Sequence, residues 1–103
     1  MSVTPPKRLP PPTSPGEMLV EEWLKPMELS QSAFAERLGV HVQVVNAIVR
    51  GRRSITPRMA IRLGKALRTT PMFWLNLQNH WDLWHVERSV AEERTKQRRR
   101  TAA

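Results

Sequence analysis

Apolar residues fall along the chain in short groups with helical spacing, each opened by a residue suited to capping a helix. The first group, Met18, Leu19, Trp23 and Leu24, follows Ser14-Pro15-Gly16-Glu17. Serine with glutamate three residues on is a capping box, and proline at the first helical position has no amide to leave unsatisfied. Pro26 disfavours helical geometry at Lys25 and closes this helix. Ser30 caps a second helix, QSAFAERL, which ends at Gly39, the residue that best tolerates a left-handed helix end. A third spans roughly Val42 to Arg50 and stops at Gly51. Thr56-Pro57 opens a fourth through Met59, Ile61, Leu63 and Leu67, and Thr70-Pro71 opens a long fifth that runs to about Ser89 and frays towards Arg94. Strand-like alternation occurs weakly in VHVQVV, which is too short and lacks a partner. The pattern predicts an all-α chain of five helices. A proline-rich flexible arm occupies 1–13, the helical domain 14–90, and a charged, disordered tail 91–103, where EERTKQRRRTAA is too polar to pack.

Gln31–Arg50 carries the most specific pattern. Two short helices that cross closely need a small residue at the crossing, and Ala35 stands there. They need a left-handed residue in the turn between them, which Gly39 supplies, and Phe34, Leu38, Val40, Val45 and Ile48 fall at the steps that point into a shared core. Followed directly by Gly51-Arg52-Arg53, this combination predicts a helix-turn-helix, whose second helix enters the DNA major groove. With Val45, Ile48 and Val49 inward, Gln43, Asn46, Ala47 and Arg50 turn outward with Val44 at their edge. Glutamine and asparagine pair with an adenine edge, arginine pairs with guanine, and Val44 and Ala47 offer apolar contact to a thymine methyl. His41 stands at the start of this helix, where it caps more weakly than serine or threonine, and joins the base-contacting set. Gln31 on one side, and Arg52, Arg53 and Ser54 on the other, are placed to touch phosphates and set register. The exposed amides at the Thr56-Pro57 helix start add to that clamp.

Charge supports a polyanionic partner. The formal net charge is +8, and between Glu36 and Asp82 there is no acidic residue, while Arg37, Arg50, Arg52, Arg53, Arg58, Arg62, Lys65 and Arg68 all lie in that stretch. The first 30 residues differ, with Lys7, Arg8 and Lys25 against Glu17, Glu21, Glu22 and Glu28. The chain has no cysteine, which excludes a disulfide framework or a thiolate metal site and fits a reducing cytoplasm. Its start lacks the apolar stretch of a signal peptide, and no segment approaches the ~20 apolar residues of a membrane span. The expected setting is therefore the bacterial cytoplasm, at the nucleoid when bound to DNA. In the fifth helix Trp74, Leu77, Trp81 and Trp84 are spaced as an a/d stripe, with Phe73, Leu75, Leu83 and Val86 on other faces. This is more apolar surface than one small core covers, and the Trp74–Leu77–Trp81–Trp84 stripe is the expected homodimer interface, since groove-reading helices are commonly paired about a two-fold axis.

The stretches PTSPGEMLVEEWLKPMELSQSAFAERLGV, GRRSITPRMAIRLGKAL and TPMFWLNLQNHWDLW resemble the HigA (VapI-like) antitoxins of the xenobiotic-response-element (XRE) helix-turn-helix superfamily, over about residues 12–85. The resemblance implies a five-helix, lambda-repressor-like domain that dimerises through its C-terminal region and represses from a palindromic double-stranded operator over its own promoter. It also implies a partner, a HigB toxin similar to RelE-type mRNA endonucleases, held inactive by direct binding. Family members often begin the recognition helix with serine, arginine and glutamine. Here it reads His41-Val42-Gln43, so no operator sequence carries over. The arm and the arginine-rich tail lie outside the resemblance.

Other function classes fit less well. No serine or histidine has a triad context, and no glycine-rich phosphate loop exists, so neither catalytic residues nor a cofactor are expected. His80, Asp82 and His85 form the one cluster worth testing for a metal, and the two histidines do not share a helix face as an i, i+4 pair does. A stand-alone repressor without a toxin remains open and shares the whole DNA-binding argument. An RNA-binding module draws on the basic tail but lacks an exposed aromatic platform. A membrane-surface role needs a basic amphipathic helix without the acidic residues of the fifth helix. The acidic face of the first helix, Glu17, Glu21 and Glu22, is a candidate surface for a basic toxin.

Overall fold

The computed structural model describes residues 11–101, so the proline-rich arm up to residue 10 and the last two positions lie outside the described residues. Helix α1 begins as Pro15–Leu19 and continues as a π-helical segment over Val20–Leu24; α2 spans Gln31–Leu38, α3 Val42–Val49, α4 Pro57–Leu67 and α5 Pro71–Thr101. Among the described residues there is no strand. Four helix starts are held as their sequence signals require. Ser14 Oγ accepts from the Glu17 amide at 3.1 Å, Ser30 Oγ from Ala33 at 3.0 Å, Thr56 Oγ1 from Met59 at 3.2 Å and Thr70 Oγ1 from Phe73 at 3.2 Å. The start of α3 differs, because His41 makes no side-chain capping bond.

The π-helical turn has a packing cause. Leu19 and Leu24 are both buried, yet five residues apart they would lie on separate flanks of an α-helix. Letting the Lys25 amide bond the Val20 carbonyl at 2.9 Å brings both leucines to the core side. The same turn sets Trp23 against Phe73 and Trp74, with ring centroids 5.8 and 5.2 Å away. The α1 backbone also lies directly on the end of α3. A Cβ at Gly16 would overlap the Ile48 carbonyl oxygen and come within 2.7 Å of Val49 Cα, so only glycine fits.

The core joins all five helices through Leu19, Phe34, Val45, Leu63 and Trp74, with Leu38, Ile48, Ile55, Met59 and Leu67 around them. Each such side chain contributes about 1.5–3 kcal/mol relative to exposure. Two polar contacts tie neighbouring helices together. Arg62 Nη1 donates to the Leu38 carbonyl at 3.0 Å, satisfying a helix-end acceptor of α2, and Trp74 Nε1 donates to Thr69 Oγ1 at 2.7 Å.

Helix α5 departs from expectation at its C-terminal end. It does not stop near Ser89 with a disordered tail but runs to Thr101, because no proline or glycine interrupts it after Pro71 and its last turns are rich in good helix formers. An exposed i, i+4 pair, Arg88 with Glu92 at 3.5 Å, adds local support. Every described residue beyond Trp84 is exposed, so this extension is helical without packing on the body.

Candidate nucleic-acid interface

Helices α2 and α3 meet around the small Ala35, which is buried, and turn at Gly39 with φ of +72°. That left-handed turn lets the Gly39 amide bond the Glu36 carbonyl at 3.2 Å and the Val40 amide bond Ala35 at 3.1 Å, closing α2. Phe34, Leu38, Val45 and Ile48 are buried between the helices as their spacing predicts. The opposite side of α3 presents Gln43 and Arg50 exposed and Asn46 and Ala47 half-exposed, with His41 exposed at its start. Asn46 is not a free side chain, since its Nδ2 donates to Gln31 Oε1 at 3.1 Å. This bond fastens the first residue of α2 to the middle of α3, and it orients the Gln31 amide and the Asn46 oxygen as one unit. Val44 does not stand open at the edge of the outward face: it is half-buried against the core, and the exposed valine of this helix is Val42. The reason is that Val44 lies one helical turn before the buried Ile48, on the same flank of α3, so part of its side chain meets the core.

The segment after α3 folds back over its end. The Arg52 and Arg53 amides both reach the Ala47 carbonyl, at 2.8 and 3.2 Å, which leaves Arg52, Arg53 and Ser54 exposed beside Arg50. Among the described residues the ion pairs are Lys25–Glu21 at 2.7 Å and Arg88–Glu92, so none of these arginines is neutralised by a carboxylate. Arg62 is the member of the acid-free stretch whose guanidinium caps α2 instead. Behind the loop, Ile55 is buried and its amide donates to Gln78 Oε1 at 2.8 Å. Gln78 Nε2 in turn donates to Asp82 Oδ1 at 2.9 Å. Sequence reasoning missed Gln78. Its signal was a polar residue one turn after Trp74 on the same apolar face of α5.

The proposed dimer stripe is corrected in its first half. Trp74 has no exposed surface at all and Leu77 is half-buried against the same core, because this face of α5 packs on α1 and α4. Trp81 and Trp84 remain half-exposed, each in edge contact with His85 at 4.5 and 4.9 Å, and Arg88 stands 5.4 Å over the Trp84 ring. Leu83, Val86 and Val90 are exposed and, at 3.6 residues per turn, share one narrow arc turned away from Trp74. Among the described residues no helix is long and apolar enough to cross a membrane.

Residues 20–75, more than half of the chain, match the helix-turn-helix family model. The antitoxin HigA-1 of Vibrio cholerae is 44% identical over 80% of this chain and 77% of its own length. The chain belongs to the XRE-type helix-turn-helix family, with the HigA antitoxins among its relatives. The family is one of DNA-binding regulators and antitoxins, not of enzymes. A second relative, the HTH-type transcriptional regulator YbaQ of Escherichia coli, is 46% identical over 77% of this chain and 70% of its own. Among solved structures, the antitoxin GraA in complex with its operator aligns with a TM-score of 0.75 and 43% identity, covering 87% of this chain and 91% of that one. In the helix-turn-helix frame, α3 is the recognition helix, and the Gly51–Ile55 segment is the connection that follows it.

Proposed function

We propose that this chain is an antitoxin that represses transcription by binding a palindromic operator as a homodimer, and that it neutralises a HigB/RelE-like mRNA-cleaving toxin by direct contact. The observation that carries the DNA-binding reading is the outward face of α3, where Gln43, Asn46 and Arg50 stand together beside the unpaired Arg52 and Arg53. In this reading His41, Gln43, Asn46, Ala47 and Arg50 touch base edges, with exposed Val42 taking the apolar role first given to Val44. Gln31, Arg52, Arg53 and Ser54 hold phosphates and set the register. The similarity to an antitoxin aligned with its operator bound supports the same use of the scaffold.

Pairing of two copies is assigned to the distal part of α5. The half-exposed Trp81 and Trp84 and the exposed Leu83, Val86 and Val90 are the apolar surface that this helix offers to a second copy. Leu83, Val86 and Val90 have the i, i+3, i+7 spacing of a helix-pairing seam. The similarity to YbaQ, named as a transcriptional regulator, favours one second reading, a repressor without a toxin partner. One experiment separates them: the chain is co-expressed with the reading frame adjoining its gene and purified, and its binding to a duplex from its own upstream region is measured. A stable complex with a neighbour that is lethal alone supports the antitoxin reading. Upstream binding with no partner and no toxicity favours the repressor alone, and no preference for the upstream duplex over random DNA overturns both.

A further inference from the structure

The arginines that face the proposed phosphate positions sit on a segment with no secondary structure of its own, between the end of α3 and the start of α4. Such a segment needs something to fix it, because a flexible arginine loop loses in ordering entropy part of what its contacts contribute. At its near end the Arg52 and Arg53 amides share the Ala47 carbonyl. At its far end the Ile55 side chain is buried, and the Ile55 amide has one partner, the side-chain oxygen of Gln78. Gln78 is 8% exposed, on a helix face otherwise made of Trp74, Leu77 and Trp81. A glutamine amide placed there can rotate end for end, and an inverted amide would face the Ile55 N–H with its own NH2 group. Asp82, one turn further along α5, removes that ambiguity. A carboxylate accepts and does not donate, so the Gln78 group turned towards it must be the NH2, and the oxygen is left facing Ile55.

We infer that Gln78, oriented by Asp82, is the positioning residue of the phosphate-contacting loop. The pair holds the Ile55 amide and thereby sets where Arg52, Arg53 and Ser54 stand relative to α3. This rests on the reading of that loop as a phosphate clamp. It makes α5 part of the DNA-binding machinery although no residue of α5 was expected to touch DNA.

The test uses the full chain, a duplex of about three helical turns (~31 base pairs) from upstream of its own gene, and a random duplex of equal length. Gln78→Met keeps the volume and leaves the Ile55 N–H without an acceptor. The expected result is unchanged helical content, loss of the shifted, exchange-protected Ile55 amide signal in NMR, about tenfold weaker binding to both duplexes, and a salt dependence lower by about one phosphate contact. Gln78→Glu keeps an acceptor for Ile55 but sets two carboxylates against each other, which pushes the side chain away and weakens binding. Combining it with Asp82→Asn restores a donor opposite an acceptor, and binding returns to near the native level. A purely packing role predicts neither this rescue nor a change in salt slope. Arg52→Ala with Arg53→Ala is run alongside. If that variant lowers the slope and Gln78→Met does not, the Gln78 inference fails while the clamp stands. If neither moves it, the clamp itself is overturned.

Discussion

The proximal and distal parts of α5 differ in composition, yet both carry large apolar side chains, and most of these meet different fates. From Pro71 to Gln78 the helix buries Trp74 completely, half-buries Phe73, Leu75 and Leu77, and satisfies its polar groups through Thr69 and Ile55. From Leu83 onward, Leu83, Val86 and Val90 stand in solvent, with the rest of the helix mostly charged or polar. A large apolar side chain on this helix is therefore not by itself a core residue. The first half has α1 and α4 beside it, and the second extends past the end of the body. The exposed apolar arc of the distal part has no neighbouring helix among the described residues, which is why it is the surface proposed for pairing, whereas large apolar residues one or two turns earlier lie in the centre of the fold.

The contrast is broken most visibly at Trp74. Trp74→Ala empties the centre of the core and removes the Thr69 contact, so urea unfolding should show a loss of about 3–5 kcal/mol. A loss comparable to a surface substitution would mean that the first half of α5 is not core. Next in size is the outward face of α3, which shares with distal α5 the condition of a surface without an intramolecular neighbour. Replacing Gln43, Asn46 and Arg50 together by alanine should remove discrimination between upstream and random DNA, each residue being worth about 1–3 kcal/mol, while the fold persists. Discrimination equal to that of the unaltered chain in an anisotropy titration would take base reading away from these residues. Val86→Glu should leave helical content unchanged and convert a dimer to a monomer in sedimentation. A dimer that survives moves the pairing surface off this arc. The smallest effect belongs to the last turns: ending the chain after Val90 removes exposed residues and a solvated ion pair worth ~0–1 kcal/mol, and should leave the unfolding midpoint in place. A clear drop would show that the extension packs on something.

Much of the recognition unit was legible from residue types alone. Ser14, Ser30, Thr56 and Thr70 announce helix starts because each cap bonds an amide three residues away. Gly39 announces the turn because the left-handed conformation is a property of one residue. The outward set of α3 followed from its inward set by helical rotation, with Val44 misplaced because the boundary between faces depends on how high the neighbouring wall rises. Other features had no local signal. Arg62 reads as one more basic surface residue, yet it closes α2 from 24 positions away in sequence. Gly16 reads as part of a capping motif, yet it also provides the gap through which α1 can lie on the α3 carbonyls. Arg68 ends α4 in a left-handed conformation where no glycine marks the position.

By itself, then, the amino-acid sequence determined where helices begin and turn, which face of α3 looks outward, and the basic character of the segment after it. Those properties depend on bonds and rotations spanning a few residues. Only the tertiary structure decided that Trp74 belongs to the core rather than to an interface, and that Gln78 stands behind Ile55. It also decided that burying Leu19 and Leu24 on one side of α1 takes a π-helical turn. These depend on which elements end up side by side, and burial is a property of neighbours, not of the residue that is buried.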